Sequence, residues 1–573
     1  MSSYDIAIVG GGPAGSTCGT FLKKYAPRLK VLILERERFP RDHVGESQLP
    51  IIGQVLEEMG VWDKVERAGF PIKVGATYRW GRTDDLWDFE FVQGGKFANE
   101  ARPARFKGQR RQTAFQVDRG LYDQILLDHA RSLGCEVRQE TTVRQVRKEG
   151  DRVEGLVLHD GTEVTARHYV DASGHVGVLR RAMGVETKSP TTLQNIAIWD
   201  YWQNAEWATT VGVGGTRVLV LSQGYGWLWF IPLGPTRTSI GLIVPAEYYK
   251  SSGKRPLELY EAALSQDPLV ARLTQNATSE GRLSTTKDWS FLSDRLVGEN
   301  WFLAGESCGF ADPILAAGMS LAHVGARDVA YTILALDKGE HDPQWLRSRY
   351  DEAHRAQIFQ HIRFADFWYT HNGVFTDLQE LTRTIAGERG LHMTAAEAWR
   401  WFGTGGFIDH NAGIGFGGYS LDATRQISAG FLGEQPHYEV VGKTHFVADL
   451  EGADKDWTAD LSNGQIQRVR CFRRDGKYLP RAGLAGRLVA FMKSERTYDE
   501  VVHEAGRLAM EFAIPESEFP NFRRDFLDAL EALVGSAWVV ARTVEGFRPF
   551  PALEVDFSEI VHTNRDIKMP VTS

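Results

Sequence analysis

"YDIAIVGGGPAGSTCGTFLKKY", residues 4–25, decides the fold of this chain. Tyr4 to Val9 form a short apolar run of strand length. The glycines at 10, 12 and 15 follow at the spacing GxGxxG, and a helical pattern takes over at Ser16. Such a turn lets the backbone approach a pyrophosphate while the third glycine brings helix against strand. A second apolar run, "LKVLILE", ends at Glu35, where an acid can accept hydrogen bonds from an adenosine ribose. Strand, glycine turn, helix and acid-tipped strand therefore predict a Rossmann-like dinucleotide fold at the start of the chain.

Composition bounds what surrounds it. At 573 residues the chain exceeds one hydrophobic core, so more than one unit is expected. A formal net charge of -8 argues against nucleic acid or an anionic membrane as the main partner. The four cysteines, Cys18, Cys135, Cys308 and Cys471, show no CxxC pair and no metal-ligand spacing. With no long uncharged apolar run and no basic leader before the first strand, a cytoplasmic, unanchored, reduced protein is expected.

Three later stretches separate FAD from NAD. "RFPRDHVGESQLP" (38–50) follows the second strand, "FQVDRGLYDQILLDHA" (115–130) sets Gln116 and Arg119 before a helix, and "VGENWFLAGESCGFADP" (297–313) sets Gly305 and Glu306 at the end of another strand. With these motifs the chain resembles the FAD-dependent aromatic hydroxylases and, within that class, the flavin-dependent halogenases. The resemblance implies FAD contacts at Gly10, Gly12, Pro13, Ala14, Gly15, Glu35, Arg41, Ser47, Gln116, Arg119, Asp171, Gly305, Glu306, Gly318 and Met319. Glu306 stands where the class carries an aspartate, one methylene shorter with the same acceptor chemistry. "EVTARHYVDASGHVG" (163–177) matches the strand and turn at the dinucleotide end through Asp171, Ala172 and Gly174.

Two motifs narrow the class further. In "FPIKVGATYRWG" (70–81), Lys73 matches the lysine that the halogenase resemblance implies to hold hypohalous acid beside the substrate. Burial would lower its proton affinity, and a neutral amine can be halogenated where an ammonium cannot; an ordinary lysine here would sit exposed beside Glu66 or Arg67. In "GWLWFIPL" (226–233), Trp227, Trp229, Ile231 and Pro232 fit WxWxIP. The period-two alternation of a strand puts Trp227, Trp229 and Ile231 on one face, and the resemblance implies a wall between flavin and substrate.

"ADPILAAGMS" (311–320) matches the segment that starts a helix beneath the flavin ring, with Phe310, Asp312, Pro313 and Gly318 corresponding. Where relatives carry serine or an acid, this chain has Leu315, Ala316 and Ala317. The missing acid argues against the tryptophan-specific type. A helix start can still hold an anion through backbone N–H groups alone, so Ala317 and Gly318 are candidates for a halide site, with Gly318 expected to relax the backbone.

The fold class expected is α/β: a Rossmann-like FAD-binding domain over 1–340 with an inserted antiparallel substrate-side sheet (about 70–115 and 190–290), then a mainly helical C-terminal region. Within that region 341–479 reads as a helical and glycine-rich cover, and 480–573 as a small winged-helix-like module suited to packing or a partner. "FADFWYTHN" offers Phe367, Trp368 and Tyr369 to close a pocket. His354, His361 and His371 lack carboxylate companions and read as core or surface residues, not metal ligands. Residues 403–418 hold seven glycines, a candidate lid loop.

The function these motifs imply is halogenation of an electron-rich aromatic or unsaturated small molecule, free or tethered to a carrier. Its requirements would be FAD reduced by a separate flavin reductase, oxygen, and chloride or bromide. An FAD-dependent monooxygenase or dehydrogenase/reductase without halide, and a non-catalytic flavoprotein acting through its C-terminal module, are the alternatives.

Overall fold

The computed structural model describes residues 2–378, 438–552, 561–564 and 566–567, apart from 82–83, 93–96, 99, 193, 213, 288–289, 371, 475–476 and 517–518. Strand Ser2–Val9 lies parallel between Val31–Leu34 and Glu163–Asp171. Its residues Ile6, Ala7, Ile8 and Val9 are all buried, as a parallel strand covered on both faces requires. Trp301–Leu303 adds a further parallel partner to Glu163–Asp171, within a sheet of seven strands among the described residues.

Helix Pro13–Tyr25 begins with proline in its first turn and ends with Lys23 and Lys24, both favourable for the helix dipole. Helix Arg119–Ser132 is capped by Asp118, whose side chain accepts the Leu121 N–H at 3.2 Å. Helix Gly318–Lys338 closes on Gly339 in the left-handed region. The three meet at His323, whose ring nitrogens lie 2.8 Å from Thr17 Oγ1 and 2.9 Å from the Tyr122 hydroxyl.

The substrate-side sheet has ten strands among the described residues. Its centre runs Asn195–Gln203, Arg237–Pro245, Gly226–Pro232, Gly215–Gln223, Ile72–Arg79 and Leu86–Glu90, and Val561–Thr563 completes the edge. One face is covered by helices Pro256–Gln266 and Pro268–Thr274, where Leu228 and Phe230 pack with Leu259, Ala263 and Leu269. Trp227, Trp229 and Ile231, alternating with these, face the other way.

The chain divides into two compact units, 1–390 with 562–573 and 391–561. Helix Pro343–Thr370 belongs to the first, so that unit runs past the boundary expected near 340. The described part of the second unit adds strands to the helices foreseen there. His445–Ala448 pairs with Arg496–Thr497 and Val539–Arg542, and Asp454–Ser462, Gln465–Arg474 and Lys477–Pro480 form an antiparallel meander inside the region read as a helical cover. Helices Gly483–Phe491, Tyr498–Glu511 and Phe519–Gly535 bury Leu488, Leu508 and Leu530 in one core with Phe446. The glycine-rich stretch 403–418 and His371 lie outside the described residues.

Candidate active site

The carboxyl ends of the parallel strands make a glycine-lined cleft. Gly10 sits at φ 109°, and a Cβ there would overlap the Ala172 carbonyl; a Cβ on Gly15 would overlap the Gly10 carbonyl. Neither position admits a side chain. A Cβ on Gly305 would lie 3.0 Å from that of Ala14, and one on Gly174 would lie 3.6 Å from Glu306 Oε2, so the three turns converge. The helix that starts at Pro13 has Gly12 as its cap, with no side-chain cap and no acid in its first turn. Its N–H groups are thus open to a phosphate, and the Arg41 guanidinium reaches to 3.5 Å from where a Gly12 Cβ would stand.

Glu35 lies at the tip of its strand with Oε2 accepting the Gly11 N–H at 2.7 Å and Oε1 that of Glu37 at 2.9 Å. Arg119 grips Asp123 through two bonds of 2.8 and 2.9 Å and donates to the Val44 and Gly45 carbonyls, fixing the 43–45 loop. Asp171 supports the cleft from behind: its carboxylate accepts from Ser173 N–H and Oγ–H and from the N–H groups of Leu179 and Arg180. The side-chain amide of Gln116 and the hydroxyl of Ser47, which sit on paired backbone, are buried with no hydrogen-bond partner among the described residues. Buried polar groups are nearly always satisfied, so these orphans fit a polar ligand that fills the cleft. FAD has the pyrophosphate, ribose and ring amides to occupy it.

Lys73 is 2% exposed. Its amine donates to the Gln48 carbonyl at 2.9 Å and lies 5.2 Å from the Phe91 ring centre, and burial lowers its pKa to about 7. It does not stand exposed beside Glu66, whose carboxylate is taken by Arg102 at 2.9 Å and Arg110 at 2.7 Å. The position comes from an irregularity that the strand pattern does not show. Between Lys73 and Gly75 the register with Gly215–Gln223 slips by one residue, so that Lys73 pairs with Thr216 while Tyr78 pairs with Val220, the partner of Trp229. A β-bulge re-aims a side chain: Lys73 moves onto the face of the sheet that carries Trp229, away from Thr77 and Arg79.

Trp229 donates its indole N–H to Ser239 Oγ at 3.0 Å, and Trp227 donates to the Tyr369 hydroxyl at 2.7 Å; the two indoles stand 6.2 Å apart. Trp80, which the sequence reading passed over, packs edge-on to Trp227 and Tyr369, at 6.4 and 5.6 Å, and donates its N–H to the Trp368 carbonyl. Its signal was available in the alternation of 72–80. Phe367 instead stacks on Phe364 at 6.0 Å.

The segment 311–320 departs from the expectation. Asp312 caps a single 3-10 turn, Pro313–Leu315, through Ile314 N–H at 2.9 Å, and the long helix starts only at Gly318. The left-handed residue is Ala316 (φ 53°, ψ 30°), not Gly318; a Cβ on Gly318 would meet the Phe310 ring at 2.9 Å, so that glycine serves close approach. Holding alanine in this conformation costs about 1 to 2 kcal/mol. Ala317 follows in the right-handed region (φ -82°, ψ -18°), and the Ala316 N–H is taken by the Pro313 carbonyl at 2.9 Å. His354 and His361 are buried in the helix packing, His354 stacked on Tyr350 at 5.7 Å and His361 beside the Gln357 carbonyl at 2.8 Å.

A Rossmann-like unit with a converging glycine cleft and an aromatic-faced sheet beside it defines an FAD-binding oxidoreductase. The FAD binding domain family matches residues 3–365. The chain is 32% identical over 389 residues to a 1H-pyrrole-2-carbonyl-(peptidyl-carrier protein) chlorinase of Pseudomonas fluorescens, spanning 65% of this chain and 85% of that protein. It is 30% identical over 380 residues to a tryptophan 2-halogenase of Chondromyces crocatus, spanning 65% and 69%. Among solved structures, the myxobacterial chondrochloren halogenase CndH matches with a TM-score of 0.59 at 29% identity, over 65% of this chain and 84% of that one. CmlS, a flavin-dependent halogenase, shares the fold over 98% of this chain and all of its own, with a TM-score of 0.71 at 24% identity. The chain belongs to the flavin-dependent halogenase family and is an FAD-dependent enzyme, which sets the non-catalytic reading aside. Among the described residues no helix is long and apolar enough to cross a membrane.

Proposed function

We propose that the enzyme halogenates an electron-rich aromatic or other unsaturated substrate, with Lys73 holding the halogenating species. Bound FAD, reduced by a separate flavin reductase, supplies the electrons with which oxygen and chloride or bromide yield hypohalous acid. The glycine turns at 10–15, 172–174 and 305–306, with Ser47 and Gln116, hold the cofactor. The start of helix Gly318–Lys338, at Ala317 and Gly318, would offer backbone donors to an anion and needs no hydroxyl. Trp227, Trp229 and Ile231 keep the substrate from the flavin side.

The observation that carries this reading is Lys73: a buried amine with no carboxylate partner among the described residues, bonded to one carbonyl and held near pKa 7. At neutral pH much of it is uncharged, so its nitrogen can take up halogen or donate a hydrogen bond to hypohalous acid. Enclosure keeps that acid from escaping. The pyrrolyl-carrier and tryptophan substrates of the relatives bracket the substrate class and leave both a free and a carrier-tethered molecule in view.

The test supplies FAD, a flavin reductase, NADH, oxygen and bromide to the protein with an aromatic panel, free and carrier-bound, and reads products by mass spectrometry. A bromine isotope doublet lost by at least about 100-fold in Lys73→Ala, with flavin reoxidation retained, is the expected outcome. The hydroxyl-free turn at Ala316 and Ala317 favours the second reading, a monooxygenase without halide; oxygen incorporation without bromine would establish it.

A further inference from the structure

Four groups from separate parts of the first unit meet in one buried hydrogen-bonded cluster. Trp227 donates its indole N–H to the Tyr369 hydroxyl at 2.7 Å. That hydroxyl lies 3.2 and 3.4 Å from the two carboxylate oxygens of Asp312. Asn195 Nδ2 donates to Asp312 Oδ2 at 3.0 Å and stands 3.3 Å from the Tyr369 oxygen. All four residues are buried. Resting on the halogenase reading, we infer that Tyr369 is a positioning residue that locks the flavin-side turn 312–317 to the indole wall, so that the two hold one spacing.

The donors and acceptors leave a single arrangement. An indole N–H only donates and an ionised carboxylate only accepts, so a hydroxyl between them must take the first bond and give its proton to the second. Asn195 then fills the remaining acceptor capacity. Tyr369 is itself held from two sides: its ring packs on Trp80 at 5.6 Å and on Phe375 at 5.9 Å. One turn earlier on the same helix, Asp366 accepts from Thr191 Oγ1 at 2.5 Å and pairs with Arg363 at 2.9 Å. The helix end is therefore stitched to the segment leading into strand Asn195–Gln203 at two points, and Asp312 is caught between.

Asp312 caps the turn whose next residues carry the left-handed Ala316 and the start of the long helix. Loss of the Tyr369 hydroxyl strands the Trp227 N–H and removes a donor from Asp312, both in a buried setting where an unmade bond is costly. The turn then loses its fixed distance from the wall.

The test measures the dissociation constant of FAD and the visible absorption band of the bound flavin for the full chain and for Tyr369→Phe, Trp227→Phe and the double variant. Each single variant is expected to weaken FAD about tenfold and to shift the band in the same direction. The double variant should be no worse than either single one, since one bond links them. Wild-type affinity and band in Tyr369→Phe, or about a hundredfold loss in the double variant, would overturn the inference. If Tyr369→Phe shows no cooperative unfolding transition, Asn195→Ala carries the same expectation through the same carboxylate, and an unshifted band there would equally overturn it. Neither readout involves halogen, so failure of the bromide assay in the wild type would remove the halogenase reading alone.

Discussion

At the scale of single residues, two buried titratable groups make opposite demands on pH. Burial pushes the Asp312 carboxyl up to about 6, against the hydrogen bonds from Ile314, Asn195 and Tyr369 that lower it. The folded state then binds a proton more readily than the unfolded chain between about pH 4 and 6, so this group's contribution to stability falls as pH rises through that window, by on the order of 3 kcal/mol. Asp312→Asn should flatten the slope, read from denaturant midpoints between pH 4.5 and 7.5. Lys73 works the other way. Its folded pKa is lowered to about 7, so the unfolded chain binds the proton more readily above that value, and stability rises between about pH 7 and 10.5. Lys73→Met should therefore be more stable than the wild type at pH 7 and below, on the order of 5 kcal/mol, and lose that advantage toward pH 10; a destabilised variant would mean that the amine is solvated. Lys73 was legible in the sequence because its neighbours repeat a motif. Tyr369 and Asp312 were not linked there, since 57 residues separate them and only the packed helix brings them together.

At the scale of elements, local pattern named the strands and helices well and missed what bends them. Alternation placed Trp227, Trp229 and Ile231 on one face, but the register slip at Val74 that turns Lys73 toward that face has no sequence signature, because it depends on the partner strand. Likewise "ILAAGM" reads as one helix start, while the backbone makes a 3-10 turn and a left-handed alanine first. The cross-strand partner of Trp229 is Gly241, where a Cβ would overlap the indole. Gly241→Ala should thus displace Trp229 from its bond to Ser239 and lower stability by about 1 to 3 kcal/mol in chemical denaturation. An unchanged midpoint would show that the wall has room to move.

For the whole molecule, the motifs covered the first unit and left the second to its helices. The meander at 454–480 escaped because Trp457, Arg468 and Arg470 are exposed and its alternation is mostly polar. The return of the chain to the first unit after residue 561 was also invisible, since a three-residue strand has no period to detect. There Asn564 donates to both oxygens of Asp88, at 2.9 and 2.8 Å, while Thr77 donates to the same carboxylate at 2.5 Å. Asn564→Ala should lower the melting midpoint of the first unit by the equivalent of about 1 to 3 kcal/mol, read by calorimetry of the FAD-bound protein. The same clasp sets a timetable for biogenesis. Asn564 leaves the ribosome 476 residues after Asp88, roughly half a minute to a minute and a half at ordinary elongation rates. Through that interval the nascent sheet waits with an open border, and the intervening 391–561 must be synthesised before it can be sealed.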